Sequence, residues 1–302
     1  MDKTLIIIAG PTAVGKTDTA LWLAQKLNTE VISADSRQIF KEMQIGTARP
    51  KKEELNGIPH YFLGNKSVKD YFNAYMYETE ALQLLEKLFR KYDVLIMVGG
   101  SGLYIDAIVN GIDEIPTVIP QIRNAIFQWY KQQGLGKIQA LLQKLDPEYY
   151  KKADINNPMR ILKALEITIQ ANRPYSSFLT GKAKKRPFKI IMLGLDMPRY
   201  LLYERINKRV DQMIEQGLVE EAKQLLPMRH YTALNTVGYK EIFDYLDGKI
   251  SLSEAVDLIK RNTRKYARRQ LTWFRRYKQM KWFNPMDKTQ IWAWLQQQLT
   301  GL

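Results

Sequence analysis

A glycine motif near the start of the chain constrains the fold more than any other feature. Residues 10–17 read GPTAVGKT and match the pattern G-x-x-x-x-G-K-[ST]. In such a P-loop the glycines bring backbone N–H groups close to phosphate oxygens, the lysine meets an outer phosphate, and the final hydroxyl ligates Mg²⁺. The apolar run KTLIIIA (3–9) precedes the motif, and KTDTALWLAQKL (16–27) follows it at helical spacing. The sequence therefore predicts a strand–loop–helix unit that binds a diphosphate.

Strands and helices alternate after this unit. EVISAD (30–35) and DVLIMVGG (93–100) are typical of buried strands, and 75–91 has the periodicity of a helix. KIIMLGLD (189–196) has the pattern of another buried strand. Alternation of this kind favours a parallel sheet with crossover helices. We therefore predict an α/β fold with a P-loop NTPase-like parallel sheet flanked by helices.

The middle of the chain interrupts this alternation. Between residues 113 and 187 no strand-like run occurs, and Pro116 and Pro120 are followed by helical periodicity. We predict a catalytic core of residues 1–112 and 188–302, with an all-helical inserted domain at 113–187. From Pro198 to the end we expect almost all of the chain to be helical.

The end of the strand at 93–98 argues against ATP hydrolysis. An NTPase usually places an Asp there to hold the Mg²⁺ water shell. This chain has the sequence GGSG (99–102) instead. A small-molecule or nucleoside kinase of the P-loop class remains the alternative prediction.

Asp35 ends the strand candidate EVISAD. Ligands of doubly wound sheets lie at the carboxyl ends of strands, which places Asp35 beside the P-loop. Its carboxylate could ligate Mg²⁺, bind a ribose or act as a general base, or it could only cap a helix. Ser36, Arg37 and Gln38 follow it and offer further donors.

Two arginines lie on one face of the helix predicted after the strand at 189–196. Arg205 and Arg209 are four residues apart, so they could clamp a diphosphate or pair with Glu204 and Asp211. His60 is one of only 2 histidines, and a structural role is favoured for it.

Charge and composition point to a polyanionic partner. The formal net charge is +15, and lysines or arginines that meet nucleic-acid phosphates release counterions. The segment 260–283 interleaves these cations with Tyr266, Trp273, Phe274, Tyr277 and Trp282. We expect most of these aromatics to be buried and the basic face to bind RNA. No membrane-length apolar run and no cysteine occur, so we expect a cytoplasmic protein without a membrane association.

Eight segments together resemble one family. GPTAVGKT, SADSRQIF, IGTARP, GIPH, GGSGLY, RILKALEI, VGYKEI and YARRQLTWFRR occur in the order found in bacterial tRNA dimethylallyltransferases. The similarity extends over essentially the whole chain. It implies transfer of a dimethylallyl group from dimethylallyl diphosphate to N6 of adenine 37, next to the anticodon of tRNA, with release of pyrophosphate. A non-catalytic RNA-binding protein is a further alternative, which the intact Lys16, Thr17 and Asp35 oppose.

The resemblance also implies roles for individual residues and partners. Asp35 is implied as the general base, Thr17 and Arg205 as catalytic groups that steady the leaving charge, and Thr17 as the Mg²⁺ ligand. The diphosphate would be bound by Gly10, Pro11, Thr12, Ala13, Val14, Gly15, Lys16, Thr17 and Arg209. The tRNA would be contacted by Asp35, Ser36, Arg37, Gln38, Ser101, Arg123, Arg160, Asn235, Thr236, Val237, Gly238, Tyr239 and Lys240. The insert would grip the anticodon stem-loop, and we expect a monomer.

The sequence departs from the family pattern at two tRNA-contact positions. Met159 stands where a glutamine is usual, and Tyr61 stands where a second histidine is usual. Neither departure affects Lys16, Thr17 or Asp35.

Overall fold

The chain divides into two compact units in the computed structural model, which describes residues 3–181 and 183–300. One unit comprises Met1–Val109 and Lys185–Leu302, and the other is Asn110–Lys184. The inserted unit thus begins and ends slightly earlier than the predicted bounds of 113 and 187.

A six-stranded parallel sheet forms the centre of the larger unit. Along the sheet the strand order is β3-β2-β4-β1-β5-β6. The P-loop strand β1 lies in the middle and pairs with β4 and β5 along its whole length, so its apolar side chains are buried on both faces. The strands are β1 Thr4–Ala9, β2 Val31–Ser33, β3 His60–Tyr61, β4 Val94–Gly99, β5 Lys189–Leu195 and β6 Lys281–Phe283.

Helices surround the sheet and form the inserted unit. In the larger unit they are α1 Lys16–Leu27, α2 Ala74–Phe89 and α3 Gly102–Val109. The inserted unit contains α4 Pro120–Leu145, α5 Pro147–Lys152 and α6 Pro158–Ala171. The larger unit continues with α7 Arg199–Glu215, α8 Leu218–Leu225, α9 Tyr239–Leu246, α10 Leu252–Phe274 and α11 Lys288–Thr300. Short 3-10 helices occur at Lys52–Leu55, Tyr175–Phe178, Leu226–Met228 and Thr232–Leu234.

The predicted parallel sheet with flanking helices is confirmed, and two short strands were missed. β3 lies in a turn-rich segment and has only 2 residues, too few for a period-2 pattern. β6 lies in the region after Pro198 that we expected to be almost all helix, so that expectation was wrong there. Its 3 residues pair in parallel with β5, and this pairing rather than any local pattern makes them a strand.

Among the described residues of the inserted unit, all regular secondary structure is helical. Its helix α4 is interrupted at Gly134, whose φ of 77° and ψ of 179° are not helical. Gly134 therefore divides α4 into two helical runs. Packing of α4 against α6 buries Ile138, Leu142 and Ile161 and gives this unit its own core.

A buried ion pair ties the chain into the larger unit where it resumes after the insert. Arg186 donates to Glu78 Oε1 at 2.7 Å and to the carbonyl oxygens of Ala107 and Ile108 at 2.6 and 2.8 Å. The side chains of Arg186 and Glu78 are only 8% and 4% exposed. Breaking a buried ion pair by removing one partner is strongly destabilising.

Arg186→Met is therefore expected to lower the free energy of unfolding by about 3–5 kcal/mol, measured by urea denaturation. Arg90→Met is the matched control, because the Arg90–Glu86 pair is 76% and 74% exposed. An exposed pair contributes about 0–1 kcal/mol. Equal costs for the two variants would show that the buried pair has no special importance.

Candidate active site

A pocket of about 340 Å³ opens at the carboxyl end of the sheet in the larger unit. The strands β1, β2 and β4 end beside it, so residues that are distant in sequence meet there. Most of the predicted site residues line this pocket. They are Thr12, Ala13, Gly15, Lys16, Thr17, Asp35, Ser36, Arg37, Gln38, Arg205, Arg209, Thr236, Val237 and Gly238.

The P-loop adopts a backbone conformation that depends on its glycines. Gly15 has a φ of 105° immediately before α1, a region that L side chains rarely adopt. At Gly10 a Cβ atom would lie 2.5 Å from the carbonyl oxygen of Leu195, so only glycine allows β5 to approach this closely. Ala13 and Val14 belong to the buried core, and Pro11 is buried as well. The loop leads into the N-terminus of α1, whose free N–H groups and dipole favour an anion.

Lys16 is held inside the loop. Its Nζ donates to the carbonyl oxygen of Pro11 at 2.7 Å. Burial lowers the pKa of Lys16 to about 7, while Asp35 raises that pKa and Arg209 lowers it further. At this pKa only part of the Lys16 population is charged. A bound phosphate would stabilise the charged ammonium and raise the pKa.

Two arginines of α7 face the P-loop. Arg209 Nη1 lies 3.5 Å from Thr12 Oγ1, and a Cβ atom at Gly15 would lie 3.8 Å from Arg205 Nη2. Burial and the neighbouring Arg205 lower the pKa of Arg209. Among the described residues, neither arginine forms an ion pair with Glu204 or Asp211, and Asp211 accepts from Lys260 Nζ at 2.6 Å. With Lys16, the arginines make this end of the pocket strongly positive.

Asp35 combines a local role with a free carboxylate oxygen. Its Oδ1 accepts from the backbone N–H groups of Arg37 at 2.9 Å and Gln38 at 3.2 Å. These bonds form a local turn and not the helix cap that the sequence left open, because no helix of the described chain begins directly after Asp35. The second oxygen accepts no hydrogen bond from any residue that the structure describes, so it is available to a ligand in the pocket.

The residues after Asp35 are fixed by neighbouring loops. The Ser101 hydroxyl accepts from the backbone N–H of Ser36 at 2.8 Å and donates to Ser36 Oγ at 3.0 Å. Gln38 Nε2 donates to the carbonyl oxygens of Thr47 and Ala48, at 3.1 Å each. Ser101 is buried at 7% exposure and does not line the pocket, so its contact here is to the Asp35 loop.

The segment 235–240 has three different environments. Thr236, Val237 and Gly238 line the pocket, whereas Asn235 and Lys240 are exposed on the surface. Tyr239 is fully buried, and its hydroxyl donates to Glu221 Oε1 at 2.6 Å. Glu221 also accepts from backbone N–H groups of the loop at 44–46.

Two predicted tRNA-binding residues, Arg123 and Arg160, lie in the inserted unit. The Arg123 guanidinium lies 3.5 Å from Glu166 Oε2, and Arg160 is exposed in the first turns of α6. Met159, at the position where the family has glutamine, is 67% exposed beside it.

The basic aromatic segment at 260–283 is less buried than predicted. Only Phe274 and Tyr277 are buried, Trp273 and Trp282 are half-buried, and Tyr266 is exposed at 37%. The expectation that most of these aromatics are core residues was therefore wrong. The physical reason is that α10 passes beside the pocket, and Tyr266 lines it.

Sequence reasoning gave no role to the pocket residue Gln270 and only a structural one to His60. Gln270 lines the pocket from α10 and is only 6% exposed. The sequence feature that could have identified Gln270 is a polar side chain on the helix face that also carries the buried residues Ala255, Ile259 and Phe274. His60 lines the pocket too, with Nδ1 2.9 Å from the carbonyl oxygen of Ile58, and burial lowers its pKa.

The donor set near the P-loop fits Mg²⁺. Thr17 and Asp35 place a hydroxyl and a carboxylate in the same pocket, and Mg²⁺ is usually held by one or two such oxygens together with substrate phosphates. No cluster of three or more His, Asp or Glu side chains suited to a metal occurs among the described residues. A metal at this site would therefore depend on phosphate oxygens for much of its coordination.

None of the helices in residues 3–181 and 183–300 is long and apolar enough to cross a membrane.

Known proteins resemble this chain over nearly its full length. The family model described as IPP transferase matches residues 38–277. A tRNA dimethylallyltransferase of Bacteroides thetaiotaomicron is 47% identical over 99% of this chain and 97% of its own length. A second, of Porphyromonas gingivalis, is 51% identical over 94% of this chain and 95% of its own length.

Solved structures give the same result. A tRNA isopentenylpyrophosphate transferase of Bacillus halodurans aligns with a TM-score of 0.73 and 37% identity, over 100% of this chain and 98% of its own. A eukaryotic dimethylallyltransferase studied acting on tRNA aligns with a TM-score of 0.79 and 27% identity, over 95% of this chain and 75% of its own. The chain therefore belongs to the IPP transferase family, as the ordered motifs of its sequence predicted.

Proposed function

We propose that this enzyme transfers a dimethylallyl group from dimethylallyl diphosphate to N6 of adenine 37 in tRNA and releases pyrophosphate. The observation that carries the proposal is one pocket lined both by the P-loop residues Lys16 and Thr17 and by the carboxylate of Asp35. Prenyl transfer to an amine requires a diphosphate-binding site next to a group that can act as a base. The names of the bacterial relatives support the same reaction.

At one end of the pocket the P-loop and α7 stabilise the leaving group. As the bond between the allylic carbon and the diphosphate oxygen breaks, negative charge grows on pyrophosphate. Lys16, Arg205 and Arg209 are positioned to meet that charge, which is the kind of preorganised stabilisation that lowers a barrier most. Thr17 would hold Mg²⁺ against the same oxygens, where the ion neutralises phosphate charge.

In the same pocket Asp35 accepts a proton. The exocyclic N6 amine is a weak nucleophile, and it bonds to the allylic carbon while its proton passes to the free Asp35 oxygen. The local turn of Arg37 and Gln38 holds the other oxygen, so the base is oriented before the substrate arrives. The adenine must leave its stack to enter the pocket, which costs little for a base in a loop.

The basic face of α10, the loop at 35–38 and the residues of 235–240 other than the buried Tyr239 would bind the tRNA around this pocket. Ser101, Arg123 and Arg160 remain predicted tRNA contacts. Because tRNA is the proposed substrate, we place the enzyme in the cytoplasm. We also expect it to act as a monomer, which sedimentation would test.

A kinase is the less favoured alternative. β4 ends in Gly99, and Gly100 and Ser101 follow, so no acid stands at that strand end to hold a Mg²⁺ water shell for ATP. The relatives named above are dimethylallyltransferases.

One assay tests the proposal against this alternative. The protein is mixed with labelled dimethylallyl diphosphate, Mg²⁺ and bulk bacterial tRNA, and the tRNA is digested to identify the modified nucleoside. We expect label on N6 of an adenosine next to the anticodon. Label transfer from γ-labelled ATP to a small acceptor, with none from dimethylallyl diphosphate to tRNA, would favour the kinase.

A further inference from the structure

Gln270 is a buried amide at the boundary between two loops of the pocket. Its Oε1 accepts from the backbone N–H of Thr12 at 2.8 Å, and its Nε2 donates to the carbonyl oxygen of Gly100 at 2.8 Å. Tyr266, one turn earlier on α10, lines the same pocket. With 6% exposure, Gln270 is therefore bonded as a buried polar group must be.

The two loops that Gln270 joins carry opposite ends of the proposed reaction. Thr12 belongs to the P-loop, which seats the diphosphate. Gly100 precedes Ser101, whose backbone N–H donates to the Ala34 carbonyl at 3.2 Å and whose hydroxyl holds Ser36. A continuous set of bonds thus runs from the P-loop through Gln270 to the loop that carries Asp35.

The space around Gln270 leaves little freedom for another arrangement. A Cβ atom at Gly100 would lie 2.3 Å from Gln270 Nε2, so only a glycine lets the amide approach this strand end. The amide accepts from Thr12 with its oxygen and donates to Gly100 with its nitrogen at the same time.

We infer that Gln270 is a positioning residue that fixes the separation between the P-loop and Asp35. This inference rests on the proposed function. In a transfer reaction, the allylic carbon lies between a leaving group and an incoming amine, and the enzyme must hold both at near-attack distance. A misplacement of about 1 Å can cost roughly 10²-fold in rate. Gln270 touches neither reacting atom, and it acts through the two loops.

Two substitutions separate the bonds. Gln270→Glu keeps the shape and the acceptor for Thr12 but loses the donor to Gly100 when ionised. Gln270→Met keeps the approximate length and loses both bonds. The matched controls are Gln297→Glu and Gln297→Met on the exposed face of α11.

We expect both Gln270 variants to lower kcat by about 10²-fold, with the tRNA affinity of Gln270→Met unchanged. The Gln270→Glu variant should recover kcat relative to wild type as the pH falls, because the protonated carboxyl regains a donor for Gly100. A purely structural role would not give this pH profile. A wild-type kcat in the folded Gln270→Glu and Gln270→Met variants would overturn the inference.

Hydrogen–deuterium exchange tests the bridge without any substrate. Gln270→Met should speed exchange in the peptides covering both 10–17 and 34–38, and Gln297→Met should change neither. Unchanged exchange in either peptide would overturn the inference. If wild type transfers no prenyl group while exchange rises in both peptides, the proposed function fails and the bridge stands.

Discussion

Asp35→Asn is expected to lower kcat for prenyl transfer by about 10²–10⁴-fold, the usual contribution of a general base. The amide is the same size as the carboxylate, and its oxygen can still accept from the N–H groups of Arg37 and Gln38. It cannot take the N6 proton. Single-turnover rates with saturating tRNA and dimethylallyl diphosphate measure the loss.

Comparison with Asp35→Ala separates the two roles of this residue. Alanine removes both the base and the turn, so equal losses in the two variants assign the effect to the base. A loss in Asp35→Ala alone would mean that Asp35 only supports its loop, and full activity in Asp35→Ala would refute the assignment. Asp257→Asn on the exposed face of α10 is the control for the loss of a carboxylate, and it should be neutral.

Lys16→Met is expected to lower kcat by about 10²–10³-fold and to weaken pyrophosphate binding. The methionine retains the length of the side chain but removes the one ammonium held within the P-loop, where it donates to the Pro11 carbonyl. Calorimetric titration with pyrophosphate and Mg²⁺ measures the affinity. Lys87→Met, exposed on α2, controls for the loss of a positive charge. Equal pyrophosphate affinities for Lys16→Met and Lys87→Met would contradict the assignment of Lys16 to the diphosphate site.

The lowered pKa of Lys16 predicts the pH dependence of that binding. At a pKa of about 7 the free protein carries a charged Lys16 below pH 7 and a neutral one above it. The diphosphate favours the charged form, so the advantage of wild type over Lys16→Met should be constant below pH 7. It should fall above pH 7 by up to about tenfold per pH unit, until the raised pKa of the complex is reached. A ratio that is flat from pH 6 to pH 9 would contradict this prediction.

The sequence allowed the central elements to be predicted because their signals are local. The apolar run of β1, the glycines of the P-loop and the periodicity of α1 each follow from neighbouring residues, and the predicted helix at 16–27 coincides with α1. The position of Asp35 at the end of a predicted strand was enough to predict that it lies beside the P-loop. The charge of +15 indicated a polyanion, and the ordered motifs indicated the family.

Other features depend on contacts between distant residues. β6 is a strand because it pairs with β5, and no period-2 pattern fits in its 3 residues. In the sequence, Tyr266 and Gln270 have the pattern of residues in an amphipathic basic helix. Only the course of α10 past the pocket brings them to the P-loop. Ser101 is polar and follows a strand end in the sequence, while the fold directs its hydroxyl to Ser36.

The sequence by itself determined which groups can bind a diphosphate and accept a proton, since a P-loop and a strand-end carboxylate are defined by residue type and local spacing. The tertiary structure alone decided how these groups are held. The bond from Thr12 to Gln270 spans 258 residues of sequence, and the bond from Gln270 to Gly100 spans 170. No local pattern encodes such a contact, because its partners meet only after the sheet has formed and α10 has packed beside it.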